Sequence, residues 1–182
     1  MAKETMPPGR STPAFPRVFE ENVSFVWRVL EHHGVRGSEL EDATQEVFIV
    51  VARKLDDLDD GVSIRSWLYG IARRVASSQR RRAHVRREQL TDEPPASIDA
   101  ARQHDDAERQ EALRRLQTVL EQLPEEQRMA FVLREGEQLT IQEVADAMGC
   151  PLQTAYSRVR VAKDHVMAAF REPQPQEVPH AG

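Results

Sequence analysis

The chain has 182 residues, enough for one ordinary domain or two small ones, with 40% hydrophobic but only 5% aromatic residues, so any core is mostly aliphatic. No apolar run approaches the roughly 18–20 residues that span a bilayer, and "MAKETMPPGRSTPAFP" lacks the apolar stretch of a secretory signal, which excludes direct membrane insertion and points to the cytoplasm. The net charge of −5 alone argues against a nucleic-acid partner, but the charges are segregated along the chain and the distribution decides more than the sum.

Residues 1–14 hold proline without periodicity and read as a flexible arm. From Phe15 or Arg17 the pattern becomes helical: Phe19, Val23, Val26 and Leu30 recur at helical spacing, and "HHGVRG" closes that helix. Ser38 with Glu41 reads as a capping box opening a second helix, whose apolar stripe is Leu40, Ala43, Val47, Val51 and Leu55. From Glu31 to Asp60 the chain carries nine acids against Arg36, Arg53 and Lys54. "DDLDDGV" is a loop, and Ser63 can cap a third helix with Ile64, Trp67, Leu68, Ile71, Ala72 and Val75 on its core face. These three helices can bury one shared core.

From Arg65 to Arg87 there are eight arginines and no acid. A solvated helix face is usually laced with acids three or four residues away; this one is not. Its outward face is read as Ser66, Gly70, Arg73, Ser77 and Arg80. A glycine inside a helix costs roughly 1 kcal/mol relative to alanine but admits another backbone closely. Trp67 and Tyr69 lie beside these cations, and cations with aromatics are what a single-strand-binding surface uses; for Trp67, on the edge of the core stripe, packing is the stronger reading.

"EQLTDEPPASIDAARQHDD" has paired prolines and no apolar period, and residues 88–111 carry eight acids; residues 91–106 read as a flexible acidic linker. That linker is a candidate shield for the arginine helix in the free protein. A second helical unit follows. Ala112, Leu116, Val119 and Leu123 mark one helix, and Pro124 suits the first turn of the next, "EEQRMAFVLRE". Thr140 and Glu143 form a capping box for a helix with Ile141, Val144, Ala145 and Met148 on one side. Gly149 can take the left-handed conformation that stops it. Cys150, the single cysteine, excludes an internal disulfide and shares no metal-ligand spacing with His32 and His33, so neither a metal nor another cofactor is expected.

After Pro151 comes a helix with Leu152, Ala155, Val159, Ala162 and Val166 on one face and Gln153, Thr154, Ser157, Arg160 and Val161 on the other. Such a pair either packs as a plain hairpin or reads DNA as a helix-turn-helix. Small polar and basic residues early on the outward face favour reading. So does Val161, which solvent would not favour but a thymine methyl would. Arg158, Arg160 and Lys163, with no acid from Leu152 to Lys163, fit phosphate approach. Residues 172–182 read as a proline-broken, disordered tail. The expectation is an all-α chain of two small helical domains, residues 15–90 and 107–171, joined by the linker.

"EDATQEVFIVVARKLDDLDD…SIRSWLYGIARRVA" resembles region 2 of extracytoplasmic-function sigma factors of the sigma-70 family. "LPEEQRMAFVLREGEQLTIQEVADAMGCPLQTAYSRVRVAKDHV" resembles their region 4. The resemblance spans roughly residues 15–90 and 105–170 and includes the lack of a middle domain. It implies a three-to-four-helix bundle followed by a helix-turn-helix domain, in a subunit that is not itself an enzyme. Its partners are then core RNA polymerase, promoter DNA and an anti-sigma factor, and the free protein is a monomer. By that resemblance Asp42, Gln45, Glu46, Phe48 and Ile49 match the segment that docks on the polymerase clamp helices. Leu58, Ser63, Arg65, Ser66, Trp67, Arg73, Arg74 and Ser77 match the positions at the −10 element, where binding of the separated strand drives melting. Gln153, Thr154, Tyr156, Ser157, Arg158, Arg160, Val161 and Lys163 match the reader of the −35 duplex. The family often has asparagine at Arg74, a basic residue at Tyr156, arginine at Val161 and an aromatic where Leu58 stands, so the promoter sequence does not transfer from other members.

Two other readings compete. "DDLDDG" could begin a calcium loop or metal-nuclease site, but an EF-hand register ending at Gly61 needs an oxygen ligand at Leu58 and glutamate at Trp67, and both fail. The alternative to promoter recognition is a sigma mimic that titrates an anti-sigma factor without reading DNA; the intact arginine helix and recognition helix argue against it.

Overall fold

The computed structural model describes residues 14–59, 61–89 and 107–171, so the arm, the linker and the tail lie outside the described residues, Ala14 apart. Every regular element described is helical: α1 (Phe15–His32), α2 (Ser38–Lys54), α3 (Ile64–Gln89), α4 (Ala107–Glu121), α5 (Glu125–Phe131), α6 (Ile141–Met148) and α7 (Leu152–Arg171). The chain packs as two units, one carrying α1–α3 and the other α4–α7.

In the N-terminal unit α1, α2 and α3 pack against one another in all three pairings. The α2 stripe Leu40, Ala43, Val47, Val51 and Leu55 is buried as its spacing requires. On α1 the buried line is rotated from the expected one: Val18, Phe25, Val26, Val29 and Leu30 lie inside with Asn22, while Phe19 is 40% exposed. Asn22 is tolerated there because its Nδ2 donates to the Val18 carbonyl at 2.9 Å. The expected Ser38–Glu41 box does not form. Gly37, with φ of 57°, takes the N-cap position of α2 and no side chain caps it. α3 contributes Leu68, Tyr69, Ile71, Ala72, Val75 and Ala76; Tyr69, read from sequence as a neighbour of the cations, is one of the largest fully buried side chains and its ring lies 5.7 Å from that of His33.

The C-terminal unit is organised around α7, which packs against α4, α5 and α6. Leu120, Leu123, Val132 and Ala162 form one core cluster, closed at its edge by Leu116, Phe131 and Val166. Pro124 sits one position earlier than expected, as the N-cap of α5. The helix expected to run through "EEQRMAFVLRE" instead widens after Phe131 into a π-helical turn, Val132–Gly136, where the Glu137 amide donates to the Val132 carbonyl five residues back at 2.9 Å. The α6 cap forms as its sequence requires. The Glu143 amide donates to Thr140 Oγ1 at 3.2 Å, and the Thr140 amide donates to Glu143 Oε2 at 2.7 Å. Gly149, at φ 62° and ψ 41°, ends α6 in the left-handed region, where a side chain would be strained.

Candidate nucleic-acid interface

The α6–turn–α7 segment presents the second helix with one side in the core and the other in solvent. Ala155, Val159 and Ala162 are buried, while Gln153, Tyr156, Ser157, Arg160 and Val161 are exposed and Thr154 is half-buried. Leu152, expected on the core stripe, is 47% exposed and joins the outward end of the helix. Val161 at 39% and Tyr156 at 56% give this polar face apolar and aromatic points of contact. A helix of 20 residues rises about 30 Å, so α7 can lie across a groove with its first turns leading.

Arg158 and Lys163 are not the uncompensated cations that their stretch of sequence implies. Arg158 Nη2 donates to Glu126 Oε2 in the first turn of α5, and Lys163 Nζ lies 3.3 Å from Glu135 Oε1 in the π-helical turn. The stretch from Leu152 to Lys163 holds no acid, and the acids that pair with the two cations come from 32 and 28 residues away. Sequence reasoning missed Glu126 and Glu135 for that reason: no local signal marks a partner delivered by tertiary packing.

On α3, Arg73 and Arg74 are exposed and have no ion pair to a described residue. Ser77 is half-buried and accepts a 2.8 Å hydrogen bond from Arg81 Nη1. Arg65 is half-buried, its Cζ 5.4 Å from the Phe25 ring centroid, a cation over an aromatic face. Trp67, Leu58 and Ser63 are half-buried. Ser66 departs from expectation: it is buried at 4%, although Arg73, two turns along the same line, is exposed. Tyr69, one turn along from Ser66, is buried as well, so the exposed part of this line begins beyond it. Gly70 is half-buried, and a Cβ added to it would meet nothing within 4 Å.

The candidate polymerase-docking residues on α2 divide. Asp42, Gln45 and Ile49 fall at i, i+3 and i+7 on the solvent face, with Ile49 52% exposed. Glu46 is turned toward α3, accepting from Gln79 Nε2 at 3.3 Å and facing Arg82 Nη1 at 3.5 Å, which compensates one of the eight arginines. Phe48, expected on the contact surface, is only 4% exposed, with its ring edge-on to Phe19 at 4.7 Å and to Phe15 at 6.5 Å. The exposed aromatic surface beside α2 is therefore supplied by Phe15 and Phe19 of α1. Sequence reading assigned Phe19 to the core and passed over Phe15; an aromatic just outside an apolar period was the available signal.

Among the described residues, no three His, Cys, Asp or Glu side chains converge as a metal site would, and no helix is long and apolar enough to cross a membrane. Residues 18–86 match the model for Sigma-70 region 2 and residues 113–166 that for Sigma-70, region 4. The chain is 32% identical over 163 residues to the ECF RNA polymerase sigma factor SigC of Mycobacterium tuberculosis, covering 88% of this chain and 83% of that one. It is 31% identical over 148 residues to the ECF RNA polymerase sigma-E factor of Escherichia coli K12, covering 72% and 74% respectively. Its fold is similar to that of the sigma factor RpoE solved with the anti-sigma factor NepR from Bartonella quintana, at a TM-score of 0.65 and 21% identity over 86% of this chain and 96% of that one. The chain belongs to the sigma-70 family as an extracytoplasmic-function sigma factor, a non-catalytic subunit that directs promoter-specific initiation by RNA polymerase.

Proposed function

We propose that the two units divide promoter recognition between them, region 2 spanning residues 15–90 and region 4 residues 107–171. In this reading Gln153, Thr154, Tyr156, Ser157, Arg158, Arg160, Val161 and Lys163 read the −35 duplex. Leu58, Ser63, Arg65, Trp67, Arg73, Arg74 and Ser77 meet the −10 strand, with buried Ser66 supporting the loop from beneath. Asp42, Gln45 and Ile49 meet the polymerase clamp helices, with Phe48 holding the aromatic surface of Phe15 and Phe19 in place. The carrying observation is the outward face of α7: exposed polar, basic and apolar points on a helix held by three neighbours and led by a capped, glycine-terminated helix. The polymerase performs the chemistry, so the sigma factor contributes selection and strand capture. Work in the cytoplasm follows from that role. An anti-sigma factor is the regulatory partner this reading implies, and the structural relative from Bartonella quintana was itself solved with one.

The test is transcription by core RNA polymerase with and without the purified chain, with the transcripts mapped to locate the promoter. Specific initiation should require the chain, and replacing Arg158 and Arg160 together by alanine should abolish it. Unchanged anti-sigma capture together with no promoter activity from the unaltered chain would favour the sigma mimic.

A further inference from the structure

The three cations between Leu152 and Lys163 are divided by the structure into one that is open and two that are paired with acids. Arg160 is exposed on the outward face. Arg158 is bonded to Glu126, its side chain only 21% exposed, and Lys163 is paired with Glu135. The two acids come from α5 and from the turn that follows it, not from α7 itself. We propose that Glu126 and Glu135 restrain duplex binding: Glu126 holds the mostly covered Arg158 against α5, Glu135 engages the ammonium of Lys163, whose side chain is itself 55% exposed, and a DNA phosphate must compete with these acids for the two cations. This inference rests on the reading of α7 as the −35 reader.

The consequence is electrostatic. A phosphate meeting a free cation releases condensed counterions and gains affinity that falls with salt. A phosphate meeting an engaged cation must first break an ion pair, so part of that gain is lost. The intramolecular pairs weaken as salt rises, which flattens the salt dependence of the unaltered chain. The chain would then bind stray duplex poorly on its own account, and full engagement would follow only where base contacts at Gln153, Ser157 and Val161 add to the phosphate term.

The experiment is fluorescence anisotropy of the full chain with a labelled random-sequence duplex, titrated over a range of salt concentrations. Glu126→Gln and Glu135→Gln should each raise affinity at low salt about two- to fivefold, the range set by an exposed or half-exposed ion pair. Together they should steepen the salt slope by up to about 0.9 per cation released. Glu121→Gln, an exposed acid on α4 whose partner is Gln117, is the control and should change neither. The decisive arm is the double substitution: in an Arg158→Ala background Glu126→Gln should give no gain. A gain that persists without Arg158 means that removing any negative charge suffices, and overturns the proposal, as does an unchanged slope in the paired variant. The underlying reading is tested separately by Arg160→Ala, which should weaken binding in every background; if it does not, α7 is not the reader, whatever the two acids do.

Discussion

Gly70 lies in the middle of α3, and its backbone has no left-handed conformation that would call for glycine. A methyl group there would touch nothing described. Inside a helix glycine costs about 1 kcal/mol relative to alanine, so the free protein carries that cost with no return within its own described structure. In the proposed role of α3, close approach of a nucleic-acid backbone beside Arg73 and Arg74 would supply a reason. Gly70→Ala should therefore stabilise the N-terminal unit by about 0.5–1 kcal/mol, raising its melting temperature by roughly 2–8 °C. The same substitution should slow strand separation at the promoter. A variant that is more stable and fully active would make the glycine incidental.

Two helix starts that look alike in sequence test how far an element is written in its own residues. Thr140–Glu143 and Ser38–Glu41 both have the form of a capping box. Only the first forms. Gly37 at the N-cap displaces Ser38 by one position, and the serine then sits inside the helix where its hydroxyl caps nothing. Thr140→Ala should cost the C-terminal unit about 1 kcal/mol in chemical denaturation, whereas Ser38→Ala should change the N-terminal unit by less than about 0.5 kcal/mol. Equal losses would show that Ser38 caps α2 in solution. Much of this architecture was legible because its determinants are local. The α2 stripe, the α6 cap and the Gly149 stop each lie within a few residues of the feature they specify. What was not legible depends on the facing element. Which of Val18 or Phe19 enters the core is decided by where α2 and α3 meet α1, a shift of one residue that helical periodicity tolerates. Ser66 has the outward phase of Arg73 and is nevertheless covered, because burial depends on tertiary neighbours that helical phase does not encode. The restraint on Arg158 and Lys163 comes from residues 28 and 32 positions away, beyond any window that periodicity reads. The candidate site was thus visible as a set of residues, while its electrostatic state was not.

At the scale of the whole chain, 30 acids outweigh 25 lysines and arginines, yet the cationic surfaces are concentrated on α3 and α7. Long-range attraction to DNA is correspondingly weak, and specific binding must draw on the polymerase to bring both surfaces to one promoter. If the units act at successive steps, their defects must separate. In the proposed division Arg160→Ala removes an exposed cation from α7, so it should reduce closed-complex formation and strand opening in parallel. Arg73→Ala combined with Arg74→Ala leaves α7 untouched and removes two exposed cations from α3, the proposed strand-facing helix. That variant should retain promoter complexes at low temperature in gel retardation with core polymerase, yet show markedly lower permanganate reactivity of thymines around the −10 element on warming. Capture of an unpaired strand is driven by phosphate contacts together with base stacking, each stacked base being worth about 1–3 kcal/mol. Removing the cations while leaving Trp67 in place should therefore weaken opening without abolishing it. Adding Trp67→Ala should deepen the defect if that ring stacks on a base, and should instead lower thermal stability alone if the ring only packs. Identical defect patterns from the α3 and α7 variants would mean that duplex reading and strand capture are not divided between the two units.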